Sequence, residues 1–394
     1  MSTPAGASGT TPPADTIQPK KSSSGAKYVV VAIVVVILLV LVGGYALGLF
    51  TPKKTSSGAC PASTSLTGAG STFVLPLMQK WEATYTGSSV NYQGVGSGAG
   101  IQQITAKTVD FGATDAPLSG TQAKAAPGLL TFPESAGGVA IIYTIPGIAK
   151  PIQLTGSVIA QIYLGTVTTW NNSAITSLNT GVTFPNLAIT PVWRSDGSGT
   201  SFVFTDFLSK DSTTFASSIG KSTQPHFTIG LGAKGSSAVA ATVQSTSGSI
   251  GYVDLTYALN NGISYAKVQN PAGVYVLPTV NDIAAAIQNN SAGLPAGNGD
   301  WSNVSVVNSA GTGDYPIASL TYLLVYQSLS GSGLSYSLGK AENLVNWLNW
   351  TVHTGQTFSG QLYYVPLPAS IVSVDVATLK TVTYNGAVVP ECGG

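Results

Sequence analysis

The chain has 394 residues, 44% of them hydrophobic and only 8% charged, with a formal net charge of +1. That length allows about two or three domains, and the charged fraction lies far below the roughly 25% of ordinary soluble proteins. Apolar residues are not depleted, so intrinsic disorder is excluded. Ser, Thr, Asn, Gln, Gly and Tyr replace the missing charge, which fits an outward-facing protein wetted by hydroxyls and amides, with an acidic habitat as the accompanying expectation.

Residues 1–27 are rich in Ser, Thr, Pro, Gly and Lys without apolar periodicity, and are expected to form a disordered cytoplasmic tail. Tyr28 to Phe50 is a run of 23 uncharged residues, about 34 Å as a helix and long enough to span a bilayer core of about 30 Å. Thr51-Pro52-Lys53-Lys54 follows instead of a small-residue cleavage site, which favours a retained membrane anchor over a cleaved signal. Three lysines before the span and two after it place the N-terminus inside by a thin margin, leaving the rest of the chain extracellular. Residues 51–59 read as a stalk. Cys60 and Cys392 bracket the outer domain and are expected to pair in an oxidising exterior; a lipid on Cys60 is the alternative.

Removing Asp15 and the lysines at 20, 21, 27, 53 and 54 leaves 11 basic and 14 acidic residues from residue 60 onward, a net charge near −3. A nucleic-acid partner would want the opposite sign.

The outer domain then alternates short strands with helices. Ser65-Leu66-Thr67 leads through Gly68-Ala69-Gly70-Ser71-Thr72-Phe73 into a helix over 75–85. Val90 to Gln93 leads through Gly94-Val95-Gly96-Ser97-Gly98-Ala99-Gly100 into a helix over 101–105, and Val109 to Asp115 is a strand ending in a carboxylate. Ile189 to Trp193 leads through Arg194-Ser195-Asp196-Gly197-Ser198-Gly199-Thr200 into a helix over 202–208. The first N–H groups of a helix lack internal partners and carry the positive end of its dipole, so such junctions are sockets for anions. Taken singly, each reads as ordinary helix capping; only the three together suggest a bound anion. Arg194 is the only arginine in the chain; its planar donor fork suits an oxyanion, although a surface pair with Asp196 is the competing explanation.

Catalytic and metal motifs are incomplete. Gly94-x-Gly96-x-x-Ala99 imitates a dinucleotide fingerprint, but the supporting acid, Asp115, ends the next strand. Gly197 to Ser201 lacks the lysine of a phosphate loop. His226 and His353 are the only histidines and have no ligand-spaced neighbours, which disfavours zinc chemistry and a serine triad. No cofactor and no metal are expected, and the chain reads as a binder, not an enzyme.

The ordered segments at 66–73, 90–98, 109–119, 162–165 with Trp170, 194–204, 229–235 and 250–253 together resemble the phosphate-binding protein of the ABC-type phosphate importer, over essentially all of residues 65–370. The resemblance implies a two-lobe α/β periplasmic-binding-protein fold of type II, here preceded by one transmembrane helix. The expected lobes are 60–138 plus 258–394, and 139–257, closing by hinge motion. It further implies phosphate ligands at Thr72, Phe73 (through its N–H), Ser97, Asp115, Arg194, Ser198, Gly199 and Thr200, and permease subunits as partners. Asp196 is expected to hold the Arg194 guanidinium. Gly98 departs from the family, which often has serine there. Asp115 implies selection for phosphate, because only a protonated oxyanion supplies a hydrogen to it. A secreted phosphatase and an envelope-structural protein retaining the fold are the alternatives.

Overall fold

A computed structural model describes residues 64–391 except 149 and 332. The expected tail, the apolar span 28–50, the stalk, Cys60 and Cys392 all lie outside the described residues. Among the described residues, no helix is long and apolar enough to cross a membrane.

Nine strands make the main sheet: β1 (Leu66–Gly70), β2 (Val90–Gly94), β3 (Phe111–Thr114), β4 (Leu129–Tyr143), β5 (Thr190–Arg194), β6 (Leu231–Ala233), β7 (Ser249–Asp254), β8 (Ser264–Tyr265) and β9 (Ala318–Tyr326). Their order is β2-β1-β3-β9-β4-β7-β5-β6, with β8 paired to β4. Strands β2, β1 and β3 are mutually parallel, as are β7, β5 and β6, whereas β4 runs antiparallel to both β9 and β7. The 15-residue β4 is the strand shared by the two halves. It pairs with β9 from Leu129 to Gly138 and with β7 from Val139 to Tyr143. Two α/β lobes thus lie on either side of one continuous strand.

Both lobes have apolar interiors. Trp81, Trp347, Phe111 and Phe73 are buried in the first lobe, and Trp170, Phe204, Phe207 and Tyr252 in the second. Full burial of side chains of this size is worth about 1.5–3 kcal/mol each. Phe204 stacks on Tyr252 at 4.1 Å and meets Tyr163 edge-on at 4.9 Å, which fixes the helix Gly199–Asp211 over β7.

The glycine-rich segments differ from their expected role as turns. Gly68 to Gly70 belong to β1, because that strand passes against β3 with no room for side chains: a Cβ on Gly68 would meet the Phe111 ring at 2.2 Å. The helices begin earlier than their apolar residues suggest, at Ser97 and at Gly199. Their glycine, serine and threonine residues are therefore first-turn residues whose N–H groups point outward.

Candidate functional site

The strand ends and helix starts converge at the seam between the lobes. From the first lobe come Ser71, Thr72 and Phe73 after β1, Ser97 at the start of its helix, and Asp115 after β3. The second lobe brings Arg194 at the end of β5, and Ser198, Gly199 and Thr200 at the start of helix Gly199–Asp211. All nine are buried, although most are polar.

Asp115 is the negative centre of the cluster and is 2% exposed. Its Oδ1 accepts the Ser71 hydroxyl at 2.5 Å, and its Oδ2 accepts the Thr200 hydroxyl of the opposite lobe at 3.2 Å. Its own N–H donates to Ser97 Oγ at 3.4 Å. Burial pushes the Asp115 carboxyl up to about 6, a rise limited by the Ser71 hydroxyl, the Arg194 charge and Thr200.

Arg194 is the positive centre. Its Nε and Nη2 both donate to Asp196, at 2.7 and 2.5 Å, so one edge of the guanidinium is held in a bidentate pair. Burial alone would raise the Asp196 carboxyl, but the Arg194 bonds and charge, with the Gly235 N–H at 3.0 Å, hold it below the usual range. The pair is not a surface feature: the arginine side chain is 2% exposed and that of Asp196 11%. Asp196 thus fixes the side-on edge of the fork and leaves the end-on edge, Nη1 and Nη2, for other partners. On that edge Nη1 reaches Ser236 Oγ at 3.4 Å.

Two residues outside the expected set complete the cluster. Ser236 hydrogen-bonds Thr72 Oγ1 through its hydroxyl at 2.9 Å and donates its N–H to the same oxygen at 3.1 Å. Ser71 anchors Asp115 and also accepts the Phe73 N–H at 3.0 Å, so the backbone donor expected at Phe73 is turned onto a neighbouring hydroxyl. Ser236 had a readable signal. Leu231–Ala233, then Lys234-Gly235, then the helix Gly235–Ser245 repeats the strand-turn-helix junction of the other sockets. Ser71 had none, because its partner is 44 residues away.

Tight backbone contact closes the seam. Gly98 N–H donates to Gly197 O at 2.9 Å across the lobes, and a Cβ on Gly98 would meet Gly197 Cα at 3.0 Å. Glycine at 98 thus brings the lobes together by backbone alone. A Cβ on Gly199 would lie 2.6 Å from Asp115 N and 2.7 Å from Ser97 Oγ. Ser198 caps its helix by accepting the Ser201 N–H at 3.1 Å. His226 and His353 are exposed on the surface, and the described residues contain no group of three or more metal-ligating side chains.

A buried carboxylate opposite a tethered arginine, ringed by hydroxyls from two lobes of an α/β fold, defines a solute-binding protein of the periplasmic-binding type. Residues 55–353 match the PBP superfamily domain. A phosphate-binding protein PstS of Xylella fastidiosa strain Temecula1 is 39% identical over 319 residues, covering 79% of this chain and 83% of its own length. The PstS of Methanocaldococcus jannaschii is 32% identical, covering 75% and 80% respectively. Among solved structures, a phosphate-binding protein from Stenotrophomonas maltophilia superposes with a TM-score of 0.61 at 19% identity, covering 83% of this chain and 96% of that one. The chain belongs to the PBP superfamily and, within it, to the phosphate-binding proteins named PstS.

Proposed function

We propose that the protein binds inorganic phosphate between its lobes and delivers it unchanged to the permease subunits of an ABC-type phosphate importer. One observation carries this reading: Asp115, a carboxylate, lies in the same buried cluster as Arg194 and the hydroxyl donors. A site for anions in general would exclude a negative side chain, whereas a protonated oxyanion gives Asp115 a hydrogen bond. Thr72, the Phe73 N–H, Ser97, Ser198, Gly199 and Thr200 are the further ligands in this reading, with the end-on edge of Arg194. The Phe73 N–H would exchange Ser71 Oγ for a phosphate oxygen.

The lobes expected at 60–138 plus 258–394, and 139–257, in the type II arrangement, need one change at the second boundary: Ser264–Tyr265 and Lys267–Gln269 pair with Ile142–Tyr143 and with Gln153–Leu154, so they go with the second lobe. The change of partner along β4 between Gly138 and Val139 supports the first boundary. The apolar run 28–50 is the anchor that holds the binding domain outside the membrane. Turnover has less support, because the Ser198 oxygen is engaged as a helix cap and the Thr200 hydroxyl donates to Asp115.

Calorimetric titration with phosphate, sulfate and arsenate tests the reading. Phosphate is expected to bind at least a thousandfold more tightly than sulfate. Equal affinities, or no heat with phosphate, would reject it.

A further inference from the structure

We propose that a second polar seam, at the far end of the helix carrying Ser198 to Thr200, latches the two lobes and sets how slowly phosphate leaves. This rests on the reading of the cleft as a phosphate site, and it assigns a role to residues that touch no part of that site. The helix Gly199–Asp211 belongs to the second lobe, fixed there by the Phe204–Tyr252 stack. Asp206 lies seven residues beyond Gly199, about 10 Å along the axis.

Opposite it is the irregular segment between the helix Val280–Asn289 and β9. That segment is tied to the first lobe: Trp301 meets Tyr322 of β9 edge-on at 5.5 Å, and Thr131 of β4 donates its N–H to Gly297 O at 2.8 Å. Across the seam the Ser305 hydroxyl donates to Asp206 Oδ2 at 2.6 Å and accepts from Lys210 Nζ at 2.8 Å. Asn308 Nδ2 donates to Asp211 Oδ1 at 2.6 Å. Lys210 and Lys221 flank Asp206 at 3.6 and 3.7 Å, so the hydroxyl bridges an ion-paired group that is itself 6% exposed.

Between this seam and the anion cluster lies a cavity of about 20 Å³, lined by Asp115, Phe202, Asp206, Val306 and Tyr322 among others. That is room for about one water. This small cavity touches both Asp115 and Asp206. Hydrogen bonds to charged groups are stronger than neutral ones, and these exist only while the lobes touch. The latch adds its free energy to the closed form alone, so it raises apparent affinity by raising the closed fraction, mainly through the dissociation rate.

The full-length double variant Ser305→Ala with Asn308→Gly tests this. Asn308 has φ +58°, and glycine keeps that backbone while removing the amide. The variant is expected to release phosphate about 10-fold faster with an association rate within about twofold of the parent protein's. Without phosphate, the Gly98 amide, bonded to Gly197 O across the lobes, is expected to exchange its hydrogen at least about fivefold faster. Unchanged release and unchanged exchange would overturn the latch. If the parent protein takes up no phosphate, the functional reading falls, while the Gly98 exchange rate still decides the latch. Single variants Ser305→Ala and Asn308→Gly, each expected to show a smaller change in the same direction, guard against misfolding of the pair.

Discussion

Asp115 and Arg194 lie in one buried cluster with opposite charges, and in the proposed phosphate site the difference between them would decide selectivity. There Arg194 would attract any oxyanion, whereas Asp115 would repel one that brings no proton. Ser71 and Thr200 each occupy one lone pair of the carboxylate and leave acceptor capacity on both oxygens. Asp115→Asn replaces an acceptor with an amide donor. Paired titrations should show the phosphate-to-sulfate affinity ratio falling at least 100-fold, chiefly because sulfate gains; an unchanged ratio would remove Asp115 from the specificity argument. Arg194→Lys keeps the charge but loses both edges of the fork, the one on Asp196 and the one proposed for the ligand. Phosphate binding should weaken by about 1.5–3 kcal/mol, the worth of a hydrogen bond to a charged group, and an unaltered Kd would contradict the end-on arrangement.

The helix Gly199–Asp211 shows what an element contributes beyond its residues. Its first turn carries proposed phosphate donors, its middle packs Phe204 into the second lobe, and its second half meets the opposite lobe through Asp206 and Asp211. Gly199→Ala separates folding from closure. Gly199 is the first residue of its helix, where alanine gains less over glycine than the about 1 kcal/mol of a helix interior, so with the seam opened to admit the methyl the unfolding midpoint of the ligand-free protein should change little. The added methyl would press on Asp115 N and Ser97 Oγ, both within 2.7 Å of its position, and phosphate affinity should fall at least about 100-fold. Loss of stability with retained binding would be the wrong way round. The sequence showed this helix only through its apolar stretch from Phe202, because glycine, serine and threonine at its start have weak helical preference and win their place by capping. Arg194 and Asp115 were legible because each is conspicuous in its own segment. Ser236 stands in a strand-turn-helix junction that local pattern does show, but its contact with Thr72 across 164 residues and that of Ser71 with Asp115 across 44 are not encoded locally. The pairing of Ser305 with Asp206, 99 residues apart, is of the same kind.

At the scale of the whole molecule the few charges are placed unusually: among the described residues, Glu134, Asp254 and Asp375 are buried without an ion-pair partner. Burial pushes Glu134 up to about 8 and Asp254 to about 7, in each case only partly opposed by a threonine hydrogen bond, and raises Asp375 well above the usual carboxyl range. Among the described residues, Glu134 Oε2 and both Asp375 oxygens have no hydrogen-bond partner, as suits groups held neutral. A carboxyl whose folded value exceeds its unfolded one binds more protons in the native state, so its favourable contribution is complete below about pH 4 and is lost as pH rises through the folded value. The window for Glu134, Asp254 and Asp115 together runs from about pH 4 to about pH 8, and each group acts at about 1.4 kcal/mol per pH unit inside its own part of it. Asp196 works the other way. Held below the usual range by Arg194, it stabilises the fold above about pH 4 and loses that contribution as pH falls further. Urea unfolding of the ligand-free protein should therefore give a stability that rises as pH drops from 8 to about 4.5 and turns over below about 4. A curve flat or falling between pH 8 and 5 would show that the buried carboxyls are ionised in the native state. The acidic habitat suggested by the sparse charge predicts the same curve, since the fold would be most stable where its buried acids need not ionise. Binding should change with it: below about pH 6, where Asp115 takes up its own proton, the ratio of phosphate to sulfate affinity should decline toward that of Asp115→Asn.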